Sequence, residues 1–245
     1  MKYLLFFITF FLHNISYSQV NIESKRTSDK NILIEAGLNL SKGNVKQLEG
    51  KLNTRVDFKI KKNHKFLALI EYSYGEVNDE MFKNEIFFHS RLTSMIFYNG
   101  KLGIEEFLQT QKNEFFNITL RQLVGAGARY QLFHILFFDG YIGLGVMKEW
   151  EKIQNDKDNS DIRSTNYLTF LFKNKKKSKI ISTTYFQPLI NRPEDYRINS
   201  EFAIIFSSSK NLKFKNSINF LYDSNPPKEI ENQQTSIMFF LQYEL

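Results

Sequence analysis

The residues of this chain best placed to do chemistry are few, and most are ionic. Arg55, Arg91, Arg121, Arg129, Glu149, Arg197 and Glu201 share one parity within runs that alternate between apolar and polar residues. If those runs are strands, one parity is one face, and these side chains line the side away from the apolar row. An arginine-rich face has two physical uses. It can form a track that favours anionic solutes, as charged linings do in pores. It can also pair with carboxylates on neighbouring strands and fill a narrow interior.

Covalent and metal chemistry have less support. A hydrolase needs a nucleophile, a base and an orienting group within reach of one another. The histidines are His13, His64, His89 and His134. His89 and Ser90 are adjacent, so in a strand they point to opposite faces and cannot form a dyad with each other. His64 and His134 fall at strand ends, where a solvated histidine is the simpler reading. No two histidines have the spacing of a ligand pair, so no metal is expected. Asp156, Asp158 and Asp161 lie in a polar connection without the glycine turn and closing glutamate of a calcium loop, which makes them solvated acids. There are no cysteines, hence no disulfides, thiolate ligands or thiol nucleophiles. No cofactor and no catalytic residue are expected. An outer-membrane lipid-modifying or hydrolytic enzyme is the alternative.

The elements that must carry the ionic face are strands. Between Leu48 and Lys61 the set Leu48, Gly50, Leu52, Thr54, Val56, Phe58, Ile60 alternates with Glu49, Lys51, Asn53, Arg55, Asp57, Lys59, Lys61. Only a period of two separates these sets. The same rhythm recurs in Phe66–Tyr74, Ile86–Tyr98, Leu102–Gln111, Phe116–Leu132, Tyr141–Trp150, Leu168–Phe172, Tyr196–Phe206, Leu212–Tyr222 and Ser236–Leu245. Ile32–Leu40 reads as the first strand. Ile181, Thr183 and Tyr185 make a weak ninth, stopped by Pro188. Lys62-Asn63, Asn99-Gly100, Asp139-Gly140 and the basic turn Asn174–Lys177 punctuate the series. Ile118, Leu120, Val124, Ala126, Ala128 and Tyr130 form the apolar face of the sixth strand, opposite Arg121 and Arg129. Glycines 143 and 145 share parity with Glu149 and would make room for long charged side chains. Glu105-Glu106 breaks the pattern, and one of the pair must face outward or mark a bulge.

The expected fold is all-β: a single antiparallel up-and-down transmembrane β-barrel of about twelve strands, or ten if the ninth is dropped with another. The last strand is apolar at Ile237, Phe239, Leu241, Tyr243 and Leu245, and would be an aggregation-prone edge unless it pairs with Ile32–Leu40. Residues 1–18 read as a signal peptide, with Lys2, an apolar run Leu4–Leu12 and a small-residue cleavage pattern at Ser16-Tyr17-Ser18. The run is too short for a spanning helix. Residues 19–245 form the barrel domain.

Composition agrees. A mean hydropathy of −0.37 looks soluble, but inward polar residues cancel outward apolar ones in a membrane barrel. An aromatic content of 16% is hard to place on an ordinary water-facing sheet. The net charge is +7, one less once Lys2 is removed. Lysines cluster in and beside turns (Lys59, Lys61, Lys62, Lys65; Lys173, Lys175, Lys176, Lys177), which suits acidic lipid headgroups better than nucleic acid for an exported chain. A soluble exported barrel binding an apolar ligand would need the apolar parity inside. That would expose Arg121 and Arg129 and crowd every aromatic into one small lumen.

Several stretches resemble a family of bacterial outer-membrane barrels, the YdiY-like or salt-induced outer-membrane proteins. They are Arg121–Tyr130 (RQLVGAGARY), Tyr141–Glu149 (YIGLGVMKE), Thr184–Pro188 (TYFQP), Asp195-Tyr196-Arg197 and Tyr222–Pro227 (YDSNPP). The resemblance covers the chain from about residue 101; the first half matches only in its alternation. Leu245 stands where such strands often end in Phe. The resemblance implies an outer-membrane barrel without a settled activity. The expectation is a non-enzymatic barrel of a Gram-negative outer membrane, structural or supporting limited passive solute passage with anion preference. Its partners would be outer-membrane lipid and, through the C-terminal strand, the barrel-assembly machinery, with no nucleic acid.

Overall fold

The computed structural model describes residues 29–41, 47–78, 80–97, 101–114, 117–154, 158–174, 178–226 and 231–245. The signal-peptide region 1–18, Asp156 of the acidic connection and Lys175–Lys177 of the basic turn lie outside the described residues.

Twelve strands run through the described residues: β1 (Lys30–Ser41), β2 (Gln47–Lys61), β3 (His64–Val77), β4 (Glu80–Phe97), β5 (Leu102–Asn113), β6 (Ile118–Ile135), β7 (Phe138–Ile153), β8 (Asn159–Asn174), β9 (Ser178–Pro188), β10 (Tyr196–Ser207), β11 (Leu212–Asp223) and β12 (Gln233–Glu244). Each pairs antiparallel with its sequence neighbours, and β1 pairs with β12, so the sheet is a closed barrel. The seam aligns Leu33 with Glu244 through Leu38 with Phe239. Ile32 and Leu245 finish it by exchanging backbone hydrogen bonds at 3.4 and 2.9 Å. The apolar row of β12 therefore carries no exposed edge, and every strand has two partners.

Alternation sorts the residues into an apolar outer wall and a polar interior. Leu52, Ile70, Tyr72, Ile86, Leu144, Val146, Phe239 and Leu241 are exposed on the outer wall, whereas Glu49, Lys51, Asn53, Arg55 and Asp57 of β2 are buried inside. A one-residue slip anywhere would exchange these sets, so burial of the ionic row pins the register. The ninth strand looks weak in sequence because its inward row carries Ile181 and Tyr185 while Ser182 and Thr184 point out. Its long pairings with β8 and β10 hold it in place.

Two local expectations change and one open choice is decided. Ile118 is buried rather than part of the outer face of β6, because the register shifts between Ile118 and Leu120 and turns the strand by one residue there. Of the glutamate pair, Glu105 points in and Glu106 out, with no bulge between them. Gly125 and Gly143 make room for rings rather than for charged chains, while Gly127 and Gly145 lie against each other's backbone. A Cβ on Gly143 would meet the ring of Tyr167, and one on Gly125 the ring of Phe107.

The two rims differ. On the rim that carries Asp29 and Leu245, the turns after β2 and β6 hold two residues each, Lys62-Asn63 and Leu136-Phe137. The opposite rim carries the two longest connections, 189–195 and 224–232. Phe239, on the outer wall of the seam, tests which face meets lipid. Phe239→Lys should cost about 2–4 kcal/mol if that position lies at a bilayer midplane. Denaturant titration of the refolded barrel in lipid vesicles measures it, and an unchanged midpoint would place Phe239 against water.

Candidate functional site

The interior of the barrel is the site, and strand parity builds it. Inward positions of β4–β8 and β10 carry Arg91, Glu105, Arg121, Arg129, Glu149, Glu151, Arg163 and Arg197. All lie in strand interiors, so their backbones are held by ladders on both sides and their side chains converge on the axis.

One cluster lies beneath the rim of long connections. Glu149 accepts from Arg121 Nη2 at 2.8 Å and from Arg197 Nη1 at 2.8 Å, with Arg163 Nε at 3.8 Å. Glu151 lies 3.3 Å from Arg121 Nε and 3.6 Å from Arg197 Nη2. Arg197 Nε donates to Asp223 at 2.7 Å, and Arg163 Nη2 to Asp195 at 2.9 Å. Three arginines thus meet four carboxylates. Glu149 is only 3% exposed, so each pair sits where water does not screen it. The Arg197–Glu149 contact joins β10 to β7, which are not neighbours in the sheet, and so crosses the lumen rather than running along the wall.

A second crossing lies nearer the terminal rim. Tyr167 of β8 donates its hydroxyl to Glu105 of β5 at 2.8 Å. Glu105 also accepts from Arg91 at 3.2 Å and lies 3.8 Å from Arg129. The two cations lean on aromatic faces: Arg91 sits 5.2 Å from the Phe107 centroid, and Arg129 4.0 Å from that of Tyr141. Between the two crossings His89 is fully buried, stacked between Phe87 and Phe107, with Nδ1 3.2 Å from the amide oxygen of Gln109. That bond makes Nδ1 the protonated nitrogen. Ser90 follows on the outward parity, so the two do not meet.

The remaining wall is stitched in the same way. Arg55 pairs with Asp57 two residues on, at 2.8 Å. Lys215 of β11 lies 2.9 Å from Glu201 and 3.8 Å from Glu35, and Glu35 accepts from Asn53 at 3.0 Å and from Gln242 across the seam. Lys83 pairs with Glu49 at 2.7 Å, and Lys51 with Glu71 at 2.9 Å. No group of three or more His, Asp or Glu able to hold a metal occurs among the described residues.

Of the seven residues singled out by parity, Arg121, Glu149 and Arg197 come together in one cluster and Arg91 and Arg129 in the other. Arg55 and Glu201 stand apart on the β1–β3 and β10–β11 walls. Parity alone missed Glu105, Tyr167, Arg163 and Lys215. Glu105 was hidden by its acidic neighbour. Arg163 and Lys215 obey the same alternation, and Arg163 lies in a stretch whose polar lead-in reads as loop. Tyr167 gives no signal, since an inward aromatic contributes here through its hydroxyl.

Fold and interior together define a closed antiparallel β-barrel with an apolar outer wall and an ion-paired lumen. The chain belongs to the family described as "Protein of unknown function, DUF481", whose model matches residues 34–245. No curated protein matches it. Among solved structures it is similar to an outer-membrane channel from Pseudomonas putida F1, at 9% identity and a TM-score of 0.56, over 94% of this chain and 99% of that one. It is also similar to the NanC porin, at 9% identity and a TM-score of 0.55, over 86% and 97% of the two chains. The KdgM porin in complex with disordered oligogalacturonate matches at 9% identity and a TM-score of 0.51, over 87% and 98%. The shared property is the outer-membrane barrel fold.

Glu149 carries most of the upper cluster. Glu149→Ala leaves three buried guanidinium groups without their common acceptor and should destabilise the barrel by about 3–5 kcal/mol. Lys59→Ala breaks a solvent-exposed pair with Asp29, at 3.0 Å, and should cost under about 1 kcal/mol. Equal losses in the two variants, compared by denaturant midpoint, would mean that the lumen is wet and the cluster screened.

Proposed function

We propose that this protein is a non-enzymatic outer-membrane barrel of a Gram-negative bacterium, closed at rest, that supports at most limited passive passage of small solutes with a preference for anions. The observation that carries the reading is the Arg197–Glu149 contact, which bridges β10 and β7 through the lumen beside Arg121 and Arg163. A twelve-strand barrel stands between the eight-strand size that side chains fill and the sixteen-strand size that holds water. At that size the side chains decide, and the buried ionic residues Arg91, Glu105, Arg121, Glu149, Arg163 and Arg197 support a filled interior. Ion pairs make that occupancy reversible in a way that packed leucines would not, because an incoming anion can compete for the guanidinium groups. Arg91, Arg121, Arg129, Arg163 and Arg197 all lie between the rims, so a solute crossing the barrel meets cations throughout.

The outer wall supports a lipid environment, and β12 supplies the terminal segment through which barrel-assembly machinery would engage the chain. Within the family, we place the protein with the YdiY-like members on the Arg121–Tyr130 and Tyr141–Glu149 stretches.

Purified protein in planar bilayers should show a small conductance with anion preference. Arg121→Ala combined with Arg129→Ala should weaken that preference toward non-selectivity. Absence of any conductance would overturn passage and leave a purely structural barrel. Recovery of the processed chain in the soluble periplasm, without heat-modifiable gel mobility, would overturn the membrane reading altogether.

A further inference from the structure

The β6–β7 hairpin is unlike the other short turns of its rim. β2–β3 and β6–β7 both turn in two residues, yet the first uses Lys62-Asn63 and the second Leu136-Phe137. The tip is openly displayed: Leu136 is 84% exposed, Ile135 61% and Phe137 48%. Leu136 holds a φ of 41°, in the left-handed region where glycine or asparagine normally sits. A polar Asn-Gly turn would relieve that strain and the apolar exposure together. The tip instead places its largest aliphatic side chain at maximal exposure.

The apolar surface does not stop at the tip. Phe137 meets Phe172 edge to face at 6.0 Å between ring centroids. Phe133 lies over Gly140, packs tilted against Phe138 at 5.1 Å and stacks with Phe170 at 6.4 Å. The register shift between Gln131 and Phe133 turns Phe133 onto the outer wall. On that wall Phe138 also stacks with Phe170 at 5.9 Å, and the outward pair Tyr130 and Ile142 lies further along the same two strands. The other turns of this rim are basic or polar: Lys61 and Lys62, Lys101, Lys173 with Lys175–Lys177, and Ser208–Asn211. Of the lysines beside the tip, Lys101 accepts at its carbonyl from Gln131 of β6, whereas Lys173 turns to the lumen and pairs with Asp139.

We propose that the β6–β7 tip, Ile135–Phe138, is inserted in the acyl layer of the leaflet at the terminal rim, as an anchor continuous with the outer wall, while the exposed Lys62 and Lys101 of the same rim sit at anionic phospholipid headgroups. This rests on the membrane reading above. Continuity with the outer wall favours lipid over a protein partner, since a docking site for a soluble partner has no need to merge with the wall. Flanking lysines match the headgroup level, where cations are drawn to anionic lipid. An apolar tip among them sits one layer deeper, as amphipathic membrane anchors do.

The chain has a single tryptophan, Trp150, which makes a clean probe of depth. In a Trp150→Phe background, Phe137→Trp and Phe239→Trp barrels are refolded into phosphatidylcholine–phosphatidylglycerol vesicles, with or without bromine on the acyl chains. The expected result is that both tryptophans emit at blue-shifted wavelengths and lose comparable intensity to brominated chains, with little quenching by aqueous iodide. Quenching of the Phe239→Trp probe alone, with Phe137→Trp red-shifted and open to iodide, would overturn the anchor while leaving the membrane barrel standing. Iodide quenching of both would overturn the membrane reading itself. Protection of Phe137→Trp from iodide without quenching by brominated lipid would point to a second copy or another protein over the tip, and would also overturn the anchor.

Discussion

A charge taken out of water must find an opposite charge, and the inside of this barrel is organised by that constraint. Removing a guanidinium or carboxylate from solvent costs several kcal/mol, recovered only by close, well-aligned partners. The lumen is too rich in ions for an apolar core. Its solution is shared acceptors: Glu149 serves Arg121, Arg197 and Arg163, and Glu105 serves Arg91, Arg129 and Tyr167. Because each acceptor is shared between strands that are not neighbours, the clusters brace the wall from within. Hydrogen-bonded ladders close the barrel around its circumference, and polar contacts tie strands three apart in the ring, β7 to β10 and β5 to β8, from within.

The same constraint explains the glycines and the aromatics. A wall built wholly of long ionic side chains could not pack, because the charges would lack low-dielectric walls to hold their partners in place. Flat rings lying against Gly125 and Gly143 fill that space, and Arg91 and Arg129 rest on ring faces while reaching their glutamate. Small residues on one strand and rings on the next are a matched pair, as Gly37 and Phe240 are at the seam. The interior is thus a mixed ionic and aromatic core, with little apolar surface of the usual kind.

Such a lumen also limits what the protein can do. Arg121, Arg163 and Arg197 each reach a carboxylate, so the contacts that fill this part of the lumen also neutralise it. A barrel that gained conductance by losing a carboxylate would also lose stability. The outer wall carries a separate demand, an apolar surface all round, and at β6–β7 that surface runs past the strand ends into the turn.

Much of this was legible in the sequence, because alternation is a property of consecutive residues. The β2 run from Leu48 to Lys61 separates into wall and lumen without any knowledge of its neighbours, and the twelve-strand count, the seam of β12 with Ile32–Leu40, and the inward arginines follow from repeating that reading. Where alternation fails, so does the reading: a register shift reverses Ile118, and two adjacent glutamates leave Glu105 undecided. Which carboxylate holds which arginine is a matter of distance across the lumen between strands far apart in the chain, as for Arg197 and Glu149. The use of the glycine space by Phe107 and Tyr167 depends instead on the register of adjacent strands, which sets Phe107 opposite Gly125 and Tyr167 opposite Gly143. Sequence by itself determined the faces of each strand, since period two is local; only the closed barrel decided the partners, since they meet across a lumen that exists only once β12 has found β1.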